Sequence, residues 1–358
     1  MKSDMRCLWM AAGLLTAPVL AGDDDCCHHS MPLPLRAPAL WDPETGRDLL
    51  NYPPDRIVDH QHMRLEIDIP DMNVPRASAV QTLTVTAIGT PTASLTLDAR
   101  LLDIRSVTSP GRRVTHEHDG RRLTMRFDPP LEPGIASDIV TTYTISDPPH
   151  GLLWLPEDPA WPGRPAQIHT QGQTDTNSYW FPCHDFPNER LITELIVTVP
   201  EGYLVSGNGR LLAREMRPGR TTFHWLQDKP HVNYLVSLIV GKFDVVDLAQ
   251  APARSRDALR PAKAFEMPVY VPPGRGRDVA GTYGRTPEMI GLFERLTGEA
   301  YPWDRYAQLV VWNFGAGGME NTSATTMYDT AIIDPQGLLD GDLDGLIAHE
   351  LAHQWFGT

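Results

Sequence analysis

Apolar and polar residues alternate along most of the first two thirds of the chain. Met63, Leu65, Ile67 and Ile69 interleave with Arg64, Glu66 and Asp68, the period-two signature of a half-buried strand. Leu83, Val85 and Ala87 alternate with threonines, and Leu95 and Leu97 continue the pattern. Leu123, Met125 and Phe127 do the same up to Pro129-Pro130, where the strand is predicted to stop. Ile139, Thr141, Tyr143 and Ile145 make a further run, and 192–199 and 234–240 read as additional β-rich stretches. Pro133-Gly134, Asn208-Gly209 and Pro218-Gly219 supply turns between them. No helical period intrudes before about residue 280, so residues 56–248 are predicted to form one all-β domain.

Residues 249–263, rich in Ala, Pro, Arg and Ser, read as a linker, and the pattern changes beyond it. Thr286 is a candidate N-cap, with Pro287 at the first helical position and Glu288 in the first turn. Met289, Ile290, Phe293 and Leu296 share a face, and Gly298 can close the helix. Strands are predicted over 308–314 and 325–333, and a last helix from about Asp342, with Leu343, Leu346, Ile347 and Leu351 on its apolar side. Residues 264–358 are therefore predicted to be α+β.

Composition narrows the classes. Of 358 residues, 41% are hydrophobic, which suits packed cores. A formal net charge of -14 argues against nucleic acid or an anionic membrane surface as partner. The first 21 residues have the form of a secretory signal: Lys2 and Arg6 at the start, a mostly apolar stretch over 7–20 too short to span a bilayer, and Val19-Leu20-Ala21 at the cleavage position. The protein is therefore expected to be exported, periplasmic or secreted, with no transmembrane anchor after signal removal. Residues 22–55 form an irregular leader that contains Cys26, Cys27, His28 and His29; these are incidental soft ligands in a polar tail. Three thiols, Cys26, Cys27 and Cys183, cannot close a disulfide framework.

The strongest chemical signal is His349-Glu350-Leu351-Ala352-His353. Residues four apart on a helix lie one turn above each other, so His349 and His353 can both direct a ring nitrogen at one Zn2+ ion. Glu350 is suited to take a proton from metal-bound water. By residue frequencies alone such a pattern arises in about one chain in a hundred of this length, and here it falls inside a predicted helix. A second signal is Gly317-Gly318-Met319-Glu320-Asn321 between two predicted strands. Paired glycines let a peptide backbone approach closely, and Glu320 can bind an α-ammonium group. By itself, the segment reads rather as a glycine-rich hairpin turn with an exposed acid. The stretch Thr170-Gln171-Gly172-Gln173, followed by Tyr179-Trp180-Phe181-Pro182-Cys183-His184-Asp185, combines aromatics suited to core packing with amides that could line a cleft.

Taken together and in this order, these three stretches, with Tyr301-Pro302 before the 308–314 strand, resemble the M1 family of zinc metallopeptidases from about residue 56 to the end. The resemblance implies a saddle-shaped N-terminal β domain followed by a thermolysin-like catalytic domain. It implies that His349 and His353 bind a single zinc, that Glu350 is the general base and that Glu320, helped by Gln173, holds the free amine of a peptide substrate. Gly317, Gly318, Met319 and Asn321 would line the substrate, so that only the first residue is removed. Gly318 stands where the family most often has alanine, a mild change expected to keep the backbone path. The family's third ligand, a glutamate about one helix further on, its transition-state-stabilising tyrosine and its C-terminal helical domain lie beyond Thr358. The chain is thus expected to be a truncated and inactive portion of a metalloaminopeptidase. An epoxide hydrolase or endopeptidase on the same zinc site, and a non-catalytic binding protein using the β domain alone, are the other functions weighed.

Overall fold

A computed structural model of the chain describes residues 53–250 and 258–356. The predicted signal segment, Cys26, Cys27, His28, His29 and nearly all of the leader lie outside the described residues, as do residues 251–257 of the linker.

The alternating stretches assemble into three sheets. The largest has seven strands in the order Arg210–Arg217, Arg220–Val232, Arg190–Pro200, Val58–Asp68, Arg76–Ala87, Ser137–Ser146 and Asp103–Thr108. Only the pairing of Val58–Asp68 with Arg190–Pro200 is parallel. Met63, Leu65, Ile67 and Ile69 are all buried, as their period demands. A three-stranded sheet follows the order Thr92–Asp98, Arg122–Leu131, Arg113–His118, and a four-stranded one the order Leu204–Gly207, Leu238–Gly241, Gln167–Gln171, Gly151–Leu155. Their inner faces share one apolar core that includes Trp180, Phe181 and the free thiol of Cys183.

Two local features differ from the pattern. The strand Arg122–Leu131 runs through Pro129-Pro130 instead of stopping there. On that side its pairing jumps from Ser94–Arg126 to Thr92–Leu131, so the prolines sit in a bulge where the ladder requires no N–H. The apolar run 234–240 is not one strand. Asn233–Leu235 forms a 3-10 turn, and the strand begins only at Leu238. Side-chain amides cause the bend: Asn177 Nδ2 donates to Asn233 O (2.5 Å) and Asn208 Nδ2 to Leu235 O (3.0 Å).

The second part is built on a mixed five-stranded sheet in the order Asp244–Asp247, Pro268–Val271, Ala307–Val310, Ala324–Met327, Gly318–Met319. The strand Asp244–Asp247, which alternation groups with the first domain, pairs here with Pro268–Val271. Helices α1 (Val279–Thr282), α2 (Thr286–Thr297) and α3 (Asp344–Ala352) accompany the sheet, so the part is α+β as predicted. In α2, Pro287 opens the helix and Gly298 closes it in the left-handed conformation (φ 76°). Thr286 is the first helical residue, not the cap; Arg285 occupies that position without a side-chain capping bond. The Thr286 hydroxyl is drawn inward to accept a bond from Gln308 Nε2 (3.1 Å).

Buried hydrogen bonds fix the parts against each other. Asn208 Nδ2 also donates to Thr322 O (2.7 Å), and Gly209 N donates to Ser323 Oγ (2.7 Å). Arg305, fully buried, reaches from the second part to Gly207 O (3.2 Å) and Ser206 Oγ (3.0 Å) of the first.

Candidate active site

Helix α3 presents the two histidines because its other side is anchored. Ile347 and Leu351 are buried in the second core, Asp344 lies in the first turn where a carboxylate favours the helix dipole, and Arg285 pairs with it. His349 is in the last turn. His353 is the residue that ends the helix, yet its backbone is still right-handed helical (φ -60°, ψ -17°), so the one-turn spacing survives. The Nε2 atoms of the two rings lie 3.2 Å apart. Two nitrogens each about 2.0–2.1 Å from a tetrahedral ion would be roughly 3.3 Å apart, so the pair fits a zinc ion's donor spacing and type. His353 Nδ1 lies 3.2 Å from Phe356 O; as the donor in that contact, it leaves Nε2 with its lone pair free to ligate. Among the described residues no group of three His, Cys, Asp or Glu side chains is placed to hold a metal.

Glu350 points the other way, into the protein, where it is 1% exposed. Its carboxyl lies against the backbone of Gly318: a methyl group at that position would fall 2.4 Å from the Glu350 carboxyl carbon. The close approach follows from the absence of a side chain at 318. Neither carboxyl oxygen has a hydrogen-bond partner among the described residues. Burial, and then the neighbouring charge of Glu320, push this carboxyl up to about 8.

Glu320 follows the two-residue strand Gly318–Met319, which pairs antiparallel with Ala324–Met327. It is 3% exposed. Its Oε1 accepts a hydrogen bond from the Tyr234 hydroxyl (3.3 Å), and its backbone carbonyl accepts one from Gln354 Nε2 (3.3 Å). Gln354 Oε1 in turn accepts from Ser323 N (2.9 Å), so the residue after His353 staples the loop to the histidine helix. Met319 packs with Val232 and Leu235, and Asn321 is fully buried, accepting from Thr326 Oγ1 (3.0 Å) and donating to Leu235 O (3.4 Å). Both side chains thus shape the loop from behind. Gly317 O accepts from Tyr328 N (3.2 Å). Gln173 follows the strand Gln167–Gln171, half-buried, its N–H directed to Gln171 Oε1 (3.4 Å); among the described residues no hydrogen bond joins it to Glu320. Tyr234 and Gln354 had no signature in the sequence: the first opens a mostly apolar run and the second is a single amide beyond the motif.

The helix with its two imidazoles, the buried acid between them and the glycine-bounded Glu320 form one constellation. A model of the peptidase family M1 domain matches residues 282–358, which contain all of it except Tyr234 and Gln173. The last part of the chain, residues 282–358, is thus similar to the peptidase family M1 domain. Aminopeptidase B of Rattus norvegicus is 28% identical over 243 residues, covering 67% of this chain and 34% of its own. Leukotriene A-4 hydrolase of Xenopus laevis is 25% identical over 314 residues, covering 84% of this chain and 47% of its own. The chain therefore spans between about a third and a half of these relatives' length. Among solved structures, an M1 zinc metallopeptidase of Deinococcus radiodurans superposes with a TM-score of 0.67 at 24% identity, covering 85% of this chain and 65% of that one. Yeast LTA4 hydrolase gives 0.68 at 21% identity, over 84% and 44%. At such identities these superpositions show a shared fold and nothing more.

Proposed function

We propose that the protein to which this chain belongs is a zinc-dependent aminopeptidase that removes N-terminal residues from peptides with a free amine. The supporting observation is the constellation itself: imidazole nitrogens 3.2 Å apart, with two buried carboxylates, Glu350 and Glu320, close enough that one raises the proton affinity of the other. His349 and His353 would hold the zinc, which when bound would polarise a scissile carbonyl and acidify a water. Glu350 would accept a proton from that water, a role supported by its desolvated carboxyl, which has no hydrogen-bond donor among the described residues. Glu320 would bind the substrate's ammonium and so set the distance from the chain end to the attacked bond. Gly317 and Gly318 would line the substrate backbone, the missing side chain of Gly318 making room for the Glu350 carboxyl. The relatives' names favour peptide over epoxide substrates in three of the four different proteins that head the similarity ranking, aminopeptidase B, aminopeptidase RNPEPL1 and leucine aminopeptidase 2-1; the fourth is a leukotriene A-4 hydrolase.

With two candidate ligands and no third among the described residues, the 358-residue chain alone is proposed to bind zinc weakly and to turn over little. The deciding experiment uses the full-length enzyme with free-amine and N-acetylated peptides. Selective cleavage of the free-amine peptide, lost on Glu320→Gln, supports the assignment; equal cleavage of both by the parent enzyme refutes it. Export belongs to the same proposal, and N-terminal sequencing of the mature protein, beginning at Gly22, is its test.

A further inference from the structure

The amine-binding carboxylate is contacted from the other domain. Tyr234 stands on the 3-10 turn Asn233–Leu235 of the all-β part, and its hydroxyl donates to Glu320 Oε1 (3.3 Å) in the α+β part. The turn is held on every side. Asn177 Nδ2 takes the carbonyl of Asn233 (2.5 Å), Asn233 Nδ2 donates to His184 O (2.7 Å), and Asn208 Nδ2 bridges Leu235 O and Thr322 O (3.0 and 2.7 Å). Gly172 lets the turn approach from beneath: a methyl there would sit 2.3 Å from Tyr234 O. Asn321, next to Glu320, donates back to Leu235 O (3.4 Å). The phenol and the carboxylate therefore sit on two segments stitched to each other by buried bonds.

We propose that Tyr234 is a positioning residue for substrate amines: its phenol fixes Glu320 by Oε1 and leaves Oε2 to the incoming ammonium. A glutamate's last torsion is soft and two-fold, so a carboxylate with no partner samples many orientations. One charge-assisted bond to one oxygen selects a single orientation before substrate arrives, which lowers the ordering cost of binding. Among the described residues no other side chain hydrogen-bonds to the Glu320 carboxylate. Because the donor comes from the β domain, amine recognition depends on the docking of the two parts and not on the catalytic part alone.

This inference rests on Glu320 binding the amine, and the test separates the two. Tyr234→Phe removes one hydroxyl and keeps the ring that packs beside Met319. Full-length parent, Tyr234→Phe, Glu320→Gln and the double variant are assayed on a leucyl anilide and on the same anilide lacking the α-amine. The expected result is a KM for the leucyl anilide raised about tenfold by Tyr234→Phe, with kcat within about threefold, and KM for the desamino compound unchanged. The double variant should be no weaker than Glu320→Gln alone. Unchanged discrimination in Tyr234→Phe, beside lost discrimination in Glu320→Gln, overturns the role of Tyr234 and leaves Glu320 standing. Equal losses on both substrates, or a lowered unfolding midpoint that accounts for them, overturn it as well. Retained discrimination in Glu320→Gln removes the foundation of both.

Discussion

Arg305 gives a quantitative test of how the two parts are held together. The guanidinium is 1% exposed, lies 4.5 Å above the ring of Trp225 and 5.7 Å from that of Tyr270, and donates to Gly207 O (3.2 Å), Ser206 Oγ (3.0 Å) and Tyr270 Oη (3.1 Å). Among the described residues no carboxylate pairs with it, so neutral acceptors and ring faces alone compensate a buried charge. Hydrogen bonds to a charged group contribute ~1.5 kcal/mol or more apiece, and each ring contact ~0.5–1 kcal/mol, a gross of ~6 kcal/mol. Arg305→Met forfeits these terms but also removes the desolvation cost of the charge, several kcal/mol, leaving a net loss of ~2–3 kcal/mol. Arg305→Lys keeps the charge and that cost while losing the planar fork that serves three acceptors, so its loss should be larger, ~3–5 kcal/mol. Urea unfolding of the full chain, followed by circular dichroism, reads both. The expected order is parent, then Met, then Lys, which reverses what charge conservation alone would suggest. A Lys variant within ~0.5 kcal/mol of the parent would refute the reasoning, because it would show that the fork and the ring faces do not set the energy.

Three further outcomes follow from the site and its surroundings. Glu350→Gln in the full-length enzyme should lower turnover by roughly 10²–10⁴ with bound zinc unchanged by elemental analysis, since it removes the base and not the ligands; retained turnover sinks the assignment. Gly318→Val should cut turnover at least about tenfold while moving the unfolding midpoint little: the strand backbone tolerates valine, but its branched carbons need the space of the Glu350 carboxyl, whose flexible end must shift by about 1 Å or more. Burial holds His169 down to about 4 and His231 to about 3. Below pH 6.5 the unfolded chain therefore takes up protons that the folded chain refuses. Stability is complete above 6.5 and falls as pH drops toward 4, by ~1.4 kcal/mol per unit for each histidine; His169→Phe should remove that much from the slope of unfolding free energy between pH 6 and 5, and an unchanged slope contradicts the burial account.

Much of this was legible in the residues. Period-two alternation located the strands of the β part because a sheet with one buried face imposes it locally, and Met63, Leu65, Ile67 and Ile69 are buried accordingly. The histidine pair was legible for the same reason: a helix converts a spacing of four into proximity wherever it lies, and the Nε2 atoms meet at 3.2 Å. The pattern failed where the chain leaves regular periods. The run 234–240 is apolar except for Ser237 and has no Gly or Pro, so it does not mark the turn that two distant asparagines impose.

The sequence by itself determined the classes of element, the helix with its histidine pair and the acid of the glycine segment, because each of these is set by residues within a turn or two of one another. Only the tertiary structure decided that Tyr234 meets Glu320, that Gln354 staples the loop to the helix and that an arginine is buried between the two parts. Those pairings join residues 34 to 98 positions apart. They arise from how whole sheets pack, and packing answers to the summed burial of many side chains, to which no short stretch of sequence gives a readable share.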